Sequence, residues 1–183
     1  MLSNPIGESM ERGTAFLKRQ INNAVAQHDR FMWGLEDHEE QAEDLRFRDL
    51  CSRHIPYMRE LQRMLEEYQS QLAVNTGLGR ETVGAASGVA RDLADAARES
   101  DFFRLVGDIT MSRRSEDTFK TFREAGKMMG YKTLQEIGDV GEGHHKAYVR
   151  EANRLVQQMF VEHAQGIDSV ARQSQVIRAD TSS

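Results

Sequence analysis

Apolar residues recur at alternating steps of four and three along most of the chain, and this spacing limits what it can fold into more than any other feature. An α-helix repeats every 3.6 residues, so such steps line up one helical face, whereas a half-buried strand needs strict alternation. No stretch of alternating Val, Ile or Thr competes with that reading. Only two prolines occur in 183 residues. Ala, Glu, Gln, Leu and Arg recur throughout, and all favour helix. The pattern predicts an all-α chain.

Four long helices follow from the periodicity. The first spans about Ser9 to Asp44, with Ile21, Val25, His28, Met32, Leu35, Glu39 and Ala42 on one seam. A second register through Ala24, Phe31, His38 and Leu45 widens the stripe to the breadth a bundle needs. The second spans about Leu45 to Leu72, with Phe47, Leu50, His54, Met58, Leu61, Leu65, Tyr68 and Leu72 on its seam. Pro56 removes one backbone hydrogen bond there, so a kink is expected. The connection between the two is short, which predicts an antiparallel pair.

Residues 73–79 break the pattern with Asn75, Gly77 and Gly79. Residues 80–100, rich in Ala and Gly, read as a short helix inside a long crossover. Ser100 and Asp101 suit an N-cap for a third helix ending near Gly130. Its seam is Phe102, Leu105, Ile109, Ser112, Glu116, Phe119, Arg123 and Gly126. Thr133 to Glu136 reads as a capping box. Gly138, Gly141 and Gly143 then leave the start of the fourth helix open, with a restart at Asp139 as one alternative. From His144 the pattern is firm, through His145, Tyr148, Ala152, Leu155, Met159 and Glu162, to about Ala171. The expected organisation is one bundle domain over residues 1–172, with a polar, fraying tail over 173–183.

Composition narrows the function. The net charge is −5, with 24 Lys and Arg against 29 Asp and Glu, and the signs are interleaved. Nucleic-acid affinity rests on basic faces, so a nucleic-acid partner is not expected. Cys51 is the single cysteine, which excludes an intrachain disulfide and a Cys-x-x-Cys motif. No apolar run approaches the roughly 18–20 residues that span a bilayer. Glu8 and Glu11 stand where a secretory signal would need an apolar core. The expected setting is the cytoplasm, in keeping with the lone thiol.

Six histidines supply the candidate chemistry. His28 and His54 fall on the seams of neighbouring helices, and His144 or His145 falls on that of the fourth. Imidazole nitrogen suits zinc, iron, copper or nickel. A turn near Leu45 places His54 level with Glu36 and His28 nearly two turns deeper, so one tight cluster of all three histidines is not expected. A buried, hydrogen-bonded histidine in each seam is the alternative. Asp37-His38 and Glu162-His163 are sequence neighbours that point about 100° apart on a helix, so neither forms a dyad. No catalytic set is assigned.

Glu142-Gly-His-His145 is the one Glu-x-x-His in the chain, and that spacing puts both side chains on one helical face. Together with four helices and a long middle connection, it resembles the ferritin-like four-helix bundle superfamily. The resemblance covers most of the chain but is architectural. It implies a carboxylate-bridged metal site built from a Glu on each of two helices and a Glu-x-x-His on each of the others. Carried over, it points to Glu142 and His145, with Glu116 on the third helix and Glu36 (or Glu39) on the first. The second helix lacks the motif and offers His54. Iron, manganese or zinc, and a redox or storage role, follow from the resemblance alone. The other reading is a non-catalytic bundle that forms a homo-oligomer or scaffolds a partner protein through helical faces. Phe102, Phe103, Phe119, Phe122 and Phe160 favour extensive helix burial within or between chains.

Overall fold

A computed structural model describes the backbone of residues 5–76 and 100–180, and the side chains of 12–73 and 100–166. The described residues form four α-helices and no strand: α1 (Pro5–Gln41), α2 (Leu45–Thr76), α3 (Asp101–Met129) and α4 (Lys132–Asp180). The expected short helix within 80–100 lies outside the described residues. None of the helices is long and apolar enough to cross a membrane.

Each of α1 and α4 packs on both α2 and α3. Asn22 bonds Gln69, Asp29 meets Gln62 and Glu36 meets Arg59, so rising numbers on α1 meet falling numbers on α2. The same reversal relates α3 to α4, through Asp108–Tyr148, Ser112–His145 and Arg123–Glu142. It also relates α1 to α3, through Gln27–Ser115 and His38–Asp108, and α2 to α4, through Arg46–Glu162 and Arg53–Glu151.

Every seam residue expected on α2 is buried, as are all those on α1 except the half-buried Glu39. The widening register holds for Ala24, Phe31 and His38 but fails at Leu45, which is exposed just past the corner. Glu116 and Arg123 on α3 are half-buried, and Glu162 on α4 is exposed. Burying Glu or Arg without a partner costs several kcal/mol, roughly, so they sit at the stripe's margin. Pro56 lies inside an unbroken α2 on its exposed side, beside the exposed Ser52. Water can reach the carbonyl that proline leaves unbonded one turn earlier.

The helix ends differ from the sequence reading in several places, and α2 runs past Leu72 into the expected break, to Thr76. α1 begins at Pro5 instead of Ser9 and stops at Gln41, before Asp44. Ser100 occupies the N-cap of α3 with extended backbone but no side-chain cap bond. Asp101 reaches across to accept the backbone N–H of Asp44 at 2.7 Å, tying α3 to the α1–α2 corner. Thr133 lies within the first turn of α4, whose first bond runs from the Gln135 N–H to the Tyr131 carbonyl, so it opens no capping box.

Most instructive, α4 does not restart at Asp139. It runs through all three glycines and past Ala171 to Asp180. A Cβ on Gly138 would overlap the backbone of Arg123, and one on Gly126 that of Gln135. These glycines let α3 and α4 approach backbone to backbone just beyond their turn. Gly130 makes that turn at φ 71°, the left-handed conformation that favours glycine.

Candidate functional site

Two apolar clusters fill the bundle. One, around Ile21, Leu61, Leu65, Phe122, Leu134 and Ile137, lies toward the α3–α4 turn. The other, around Leu35, Phe47, Leu50, Met58, Leu105 and Leu155, lies toward the α1–α2 corner. The second shares its space with a chain of polar side chains.

Asp108 is central to that chain and only 1 % exposed. His38 Nδ1 lies 2.9 Å from its Oδ2, and the Tyr148 hydroxyl donates to the same oxygen at 3.1 Å. Three helices thus converge on one carboxyl: α1 through His38, α3 through Asp108 and α4 through Tyr148. Burial pushes the Asp108 carboxyl above the usual carboxylate range, and the His38 hydrogen bond and charge oppose that shift. Burial, then the neighbouring Asp108, pushes the Tyr148 phenol well above its ordinary value. On the other side of Tyr148 stands His54, its ring edge-on at 5.3 Å. His54 Nε2 is 3.5 Å from Glu151, which also pairs with Arg53. Desolvation lowers the His54 pKa, and Glu151 only partly restores it.

One step deeper, Phe31 bridges the Tyr148 ring (5.4 Å) and the His145 ring (5.1 Å). His145 is fully buried and stacks on Phe119 at 5.4 Å with 15° between planes. A Cβ on Gly141 would overlap the Phe119 ring, so that glycine makes room for the stack. His145 Nδ1 lies 2.9 Å from the Ser112 hydroxyl oxygen, which also donates to the His145 carbonyl at 3.4 Å. A hydroxyl has one hydrogen, so whether Ser112 or Nδ1 donates in the shorter contact depends on the His145 tautomer. His28, 1 % exposed, lies 5.5 Å away between ring centroids and donates Nε2–H to the Met58 carbonyl at 2.9 Å. Burial holds both imidazoles below their ordinary pKa, His145 well below, so both are neutral near pH 7. Their remaining ring nitrogens, Nδ1 of His28 and Nε2 of His145, are buried and have no hydrogen-bond partner among the described residues.

The five residues singled out from sequence do not come together. Glu36 pairs with Arg59 on the α1–α2 surface. Glu142 faces α3, where it pairs with Arg123, while His145 of the same Glu-x-x-His points into the core. His54 turns to Glu151, and Glu116 stands half-buried at the edge of α3. Among the described residues no group of three or more His, Cys, Asp and Glu is placed to hold a metal. The expectation that His28, His54 and His145 do not cluster together agrees with this layout, in which His28 meets His145 and His54 meets Tyr148. Cys51 is buried, with its thiol pKa pushed up by desolvation and then by Asp108, which suits core packing more than nucleophilic work.

Asp108 and Tyr148 were not paired by sequence reasoning, and Asp108 was not placed inside at all. The signal was available: Asp108, Ser115 and Phe122 are seven apart and form a second register on α3, like the one that widened α1. Two surface grooves, one over α1–α2 near Asp29 and Arg63 and one over α2–α4 near Arg46 and Arg154, carry charges of both signs. None of the buried histidines lines either groove. No protein-family model, no curated protein and no solved structure matches the chain.

Proposed function

We propose that the chain is a non-catalytic helical bundle that assembles with a second copy of itself. In this reading α1–α2 and α3–α4 are two antiparallel hairpins joined by a crossover over residues 77–99, the helix order of the ferritin-like superfamily. The opposed numbering of the four helix contacts supports that order.

The observation that carries the assembly reading is an aromatic strip at the end where α3 begins. Phe102 touches Phe103 at 5.4 Å, Phe160 at 6.3 Å and His163 at 5.9 Å between ring centroids. Phe103 is 49 % exposed and Phe160 62 %, with the exposed Val106 and Val161 on the same two helices. Apolar groups gathered on a surface in this way mark interaction faces. The rim carries both signs, in the Arg46–Glu162 and Arg104–Asp101 pairs, so a two-fold copy can meet each charge with its opposite. α4 also continues from Glu162 to Asp180, about 27 Å of helix past the level at which α3 begins. A specific, stable interface buries about 800 Å² per partner, and this end supplies both an apolar centre and added length.

Sedimentation of the full chain tests the reading. The wild type is expected to run as a defined dimer or closed oligomer. Phe103→Glu combined with Phe160→Glu is expected to run as a monomer with unchanged helical circular dichroism. A monomeric wild type at the highest soluble concentration overturns it, as does a variant that still assembles.

A further inference from the structure

Charge is unevenly placed on this bundle, although the two signs interleave along most of the chain. Residues 29–44, the second half of α1 and its corner, carry seven carboxylates against Arg30 alone. Residues 12–28 carry Arg12, Lys18 and Arg19 and no carboxylate. The fold gathers two further acid-free segments at that end. Gln27 bonds Ser115, so eleven residues back along α1 and eleven forward along α3 bring Phe16 level with Gly126, beside the α3–α4 turn. Asn22 bonds Gln69, which brings the end of α2 to the same region. Residues 68–76 there are uncharged, and the only charges in residues 125–135 are Lys127 and Lys132. These segments hold five cations. Glu8 and Glu11, on the turns of α1 before Arg12, still leave an excess of three, in a chain whose net charge is −5.

Apolar side chains stand among these cations. Met128 is the most exposed large apolar side chain among the described residues, at 86 %. Met129 and Tyr131 are half-exposed beside it, and Phe16 is exposed on α1. Gly130 turns the chain between them, and the close backbone approach at Gly126 and Gly138 ties the two helix ends together just beneath. We infer that the α3–α4 turn, with Phe16 and Arg19 of α1, is a tip that docks on an anionic lipid bilayer. The chemistry of the tip chooses the partner. A cluster of Lys and Arg answers a negatively charged headgroup layer. The lysine stems, the methionines and the Tyr131 ring suit the interface beneath it, which takes apolar bodies with polar ends. A nucleic acid would answer the cations, but its phosphate backbone has no place for exposed methionines. No described helix is long and apolar enough to cross a membrane, so the attachment is to the surface. Glu124, paired with Arg123, and the exposed Glu136 lie one turn inward and confine the contact to the outermost turns. The aromatic strip lies at the opposite end of the bundle, so this docking does not depend on self-assembly.

The test is co-sedimentation of the full chain with vesicles of phosphatidylcholine, with and without about 30 % phosphatidylserine, at about 0.1 M salt. Binding to the anionic vesicles is expected to be about 10-fold or more tighter than to the neutral ones, and to weaken as salt rises. Lys127→Glu combined with Lys132→Glu is expected to remove that preference. Met128→Ser combined with Met129→Ser is expected to weaken binding by about 5-fold or more. All four side chains are exposed, so the helical circular dichroism is expected to stay unchanged. Trp33→Phe combined with Met128→Trp leaves one tryptophan, at the tip, whose emission is expected to shift to the blue on anionic vesicles and to be quenched by brominated acyl chains. Phe103→Glu combined with Phe160→Glu is expected to keep the preference for anionic vesicles, which separates docking from self-assembly. Equal binding to both vesicle types, no binding to either, a preference that survives the lysine reversal, an unshifted tip tryptophan, or a short DNA duplex bound more tightly at the same salt overturns the proposal.

Discussion

The two ends of the bundle obey the same periodicity and are filled differently. Toward the α3–α4 turn the interior is almost wholly apolar, with Ile21, Leu61, Leu65, Phe122, Leu134 and Ile137 packed together and the helices close enough for Gly126 and Gly138 to touch backbone. Toward the α1–α2 corner the interior is as well buried but holds Asp108, His38, Tyr148 and His54 among its aliphatic residues. An apolar core is non-directional, so its residues can be exchanged if volume is kept. A buried carboxyl tolerates only partners that meet it with hydrogen bonds, so the polar end specifies which three helices converge and at what height.

The sharpest break of that comparison removes one member of the buried pair. His38→Leu leaves Asp108 with the Tyr148 hydroxyl alone and is expected to cost about 3–5 kcal/mol in urea unfolding. His38→Leu combined with Asp108→Leu is expected to recover most of the loss, since two apolar groups leave no stranded charge. A double variant no more stable than the single one would show that the pair is worth more than its desolvation cost.

At the apolar end the glycines give a smaller contrast. Gly138→Ala drives a methyl into the Arg123 backbone and is expected to cost about 1–3 kcal/mol. Gly143→Ala, in the same helix but facing open space, is expected to stabilise by up to about 1 kcal/mol. Equal effects on the thermal midpoint would remove the close approach of α3 and α4 as the reason for the first glycine.

The mildest probe is pH. Burial lowers the pKa of His28, His54, His144 and His145, so the unfolded chain binds protons there that the fold does not. Their contribution is complete above the unfolded value near 6.5 and is lost as pH falls from there toward the folded values. Asp108 acts in the opposite sense, because its raised pKa stabilises the fold as pH falls through that value toward about 3.8. Four lowered imidazoles against the raised carboxyls of Asp108 and Asp29 set the expected net direction. The thermal midpoint is expected to drop between neutral pH and about pH 5, and His28→Gln to flatten that drop. A midpoint that holds or rises on acidification would mean that the rings are charged in the fold or that Asp108 outweighs them.

Particular residues mark how much was legible beforehand. The α2 seam could be read in full because all eight of its positions are apolar or aromatic or the single His54, and one stripe suffices for that helix. The second stripe on α3 escaped because Asp108 and Ser115 are polar, and hydropathy alone assigns polar residues to the outside. The glycines of α4 left hinge, loop and close packing open, and only the neighbouring backbone of α3 chose among them. Glu142 and His145 share a helical face within the tolerance of a three-residue step, about 300° around the axis. The remaining angle sends one to Arg123 and the other into the core.

The sequence by itself determined that the described residues are helical, roughly where four rods lie and the main apolar stripe that each turns inward, because those properties depend on a local period of 3.6 residues and on hydropathy. The tertiary structure decided which polar groups meet: Asp108 with His38 and Tyr148, His145 with Ser112 and His28. Those meetings depend on the height and rotation at which separate helices dock. A shift of one turn, invisible to any single helix's periodicity, would give each polar group a different neighbour.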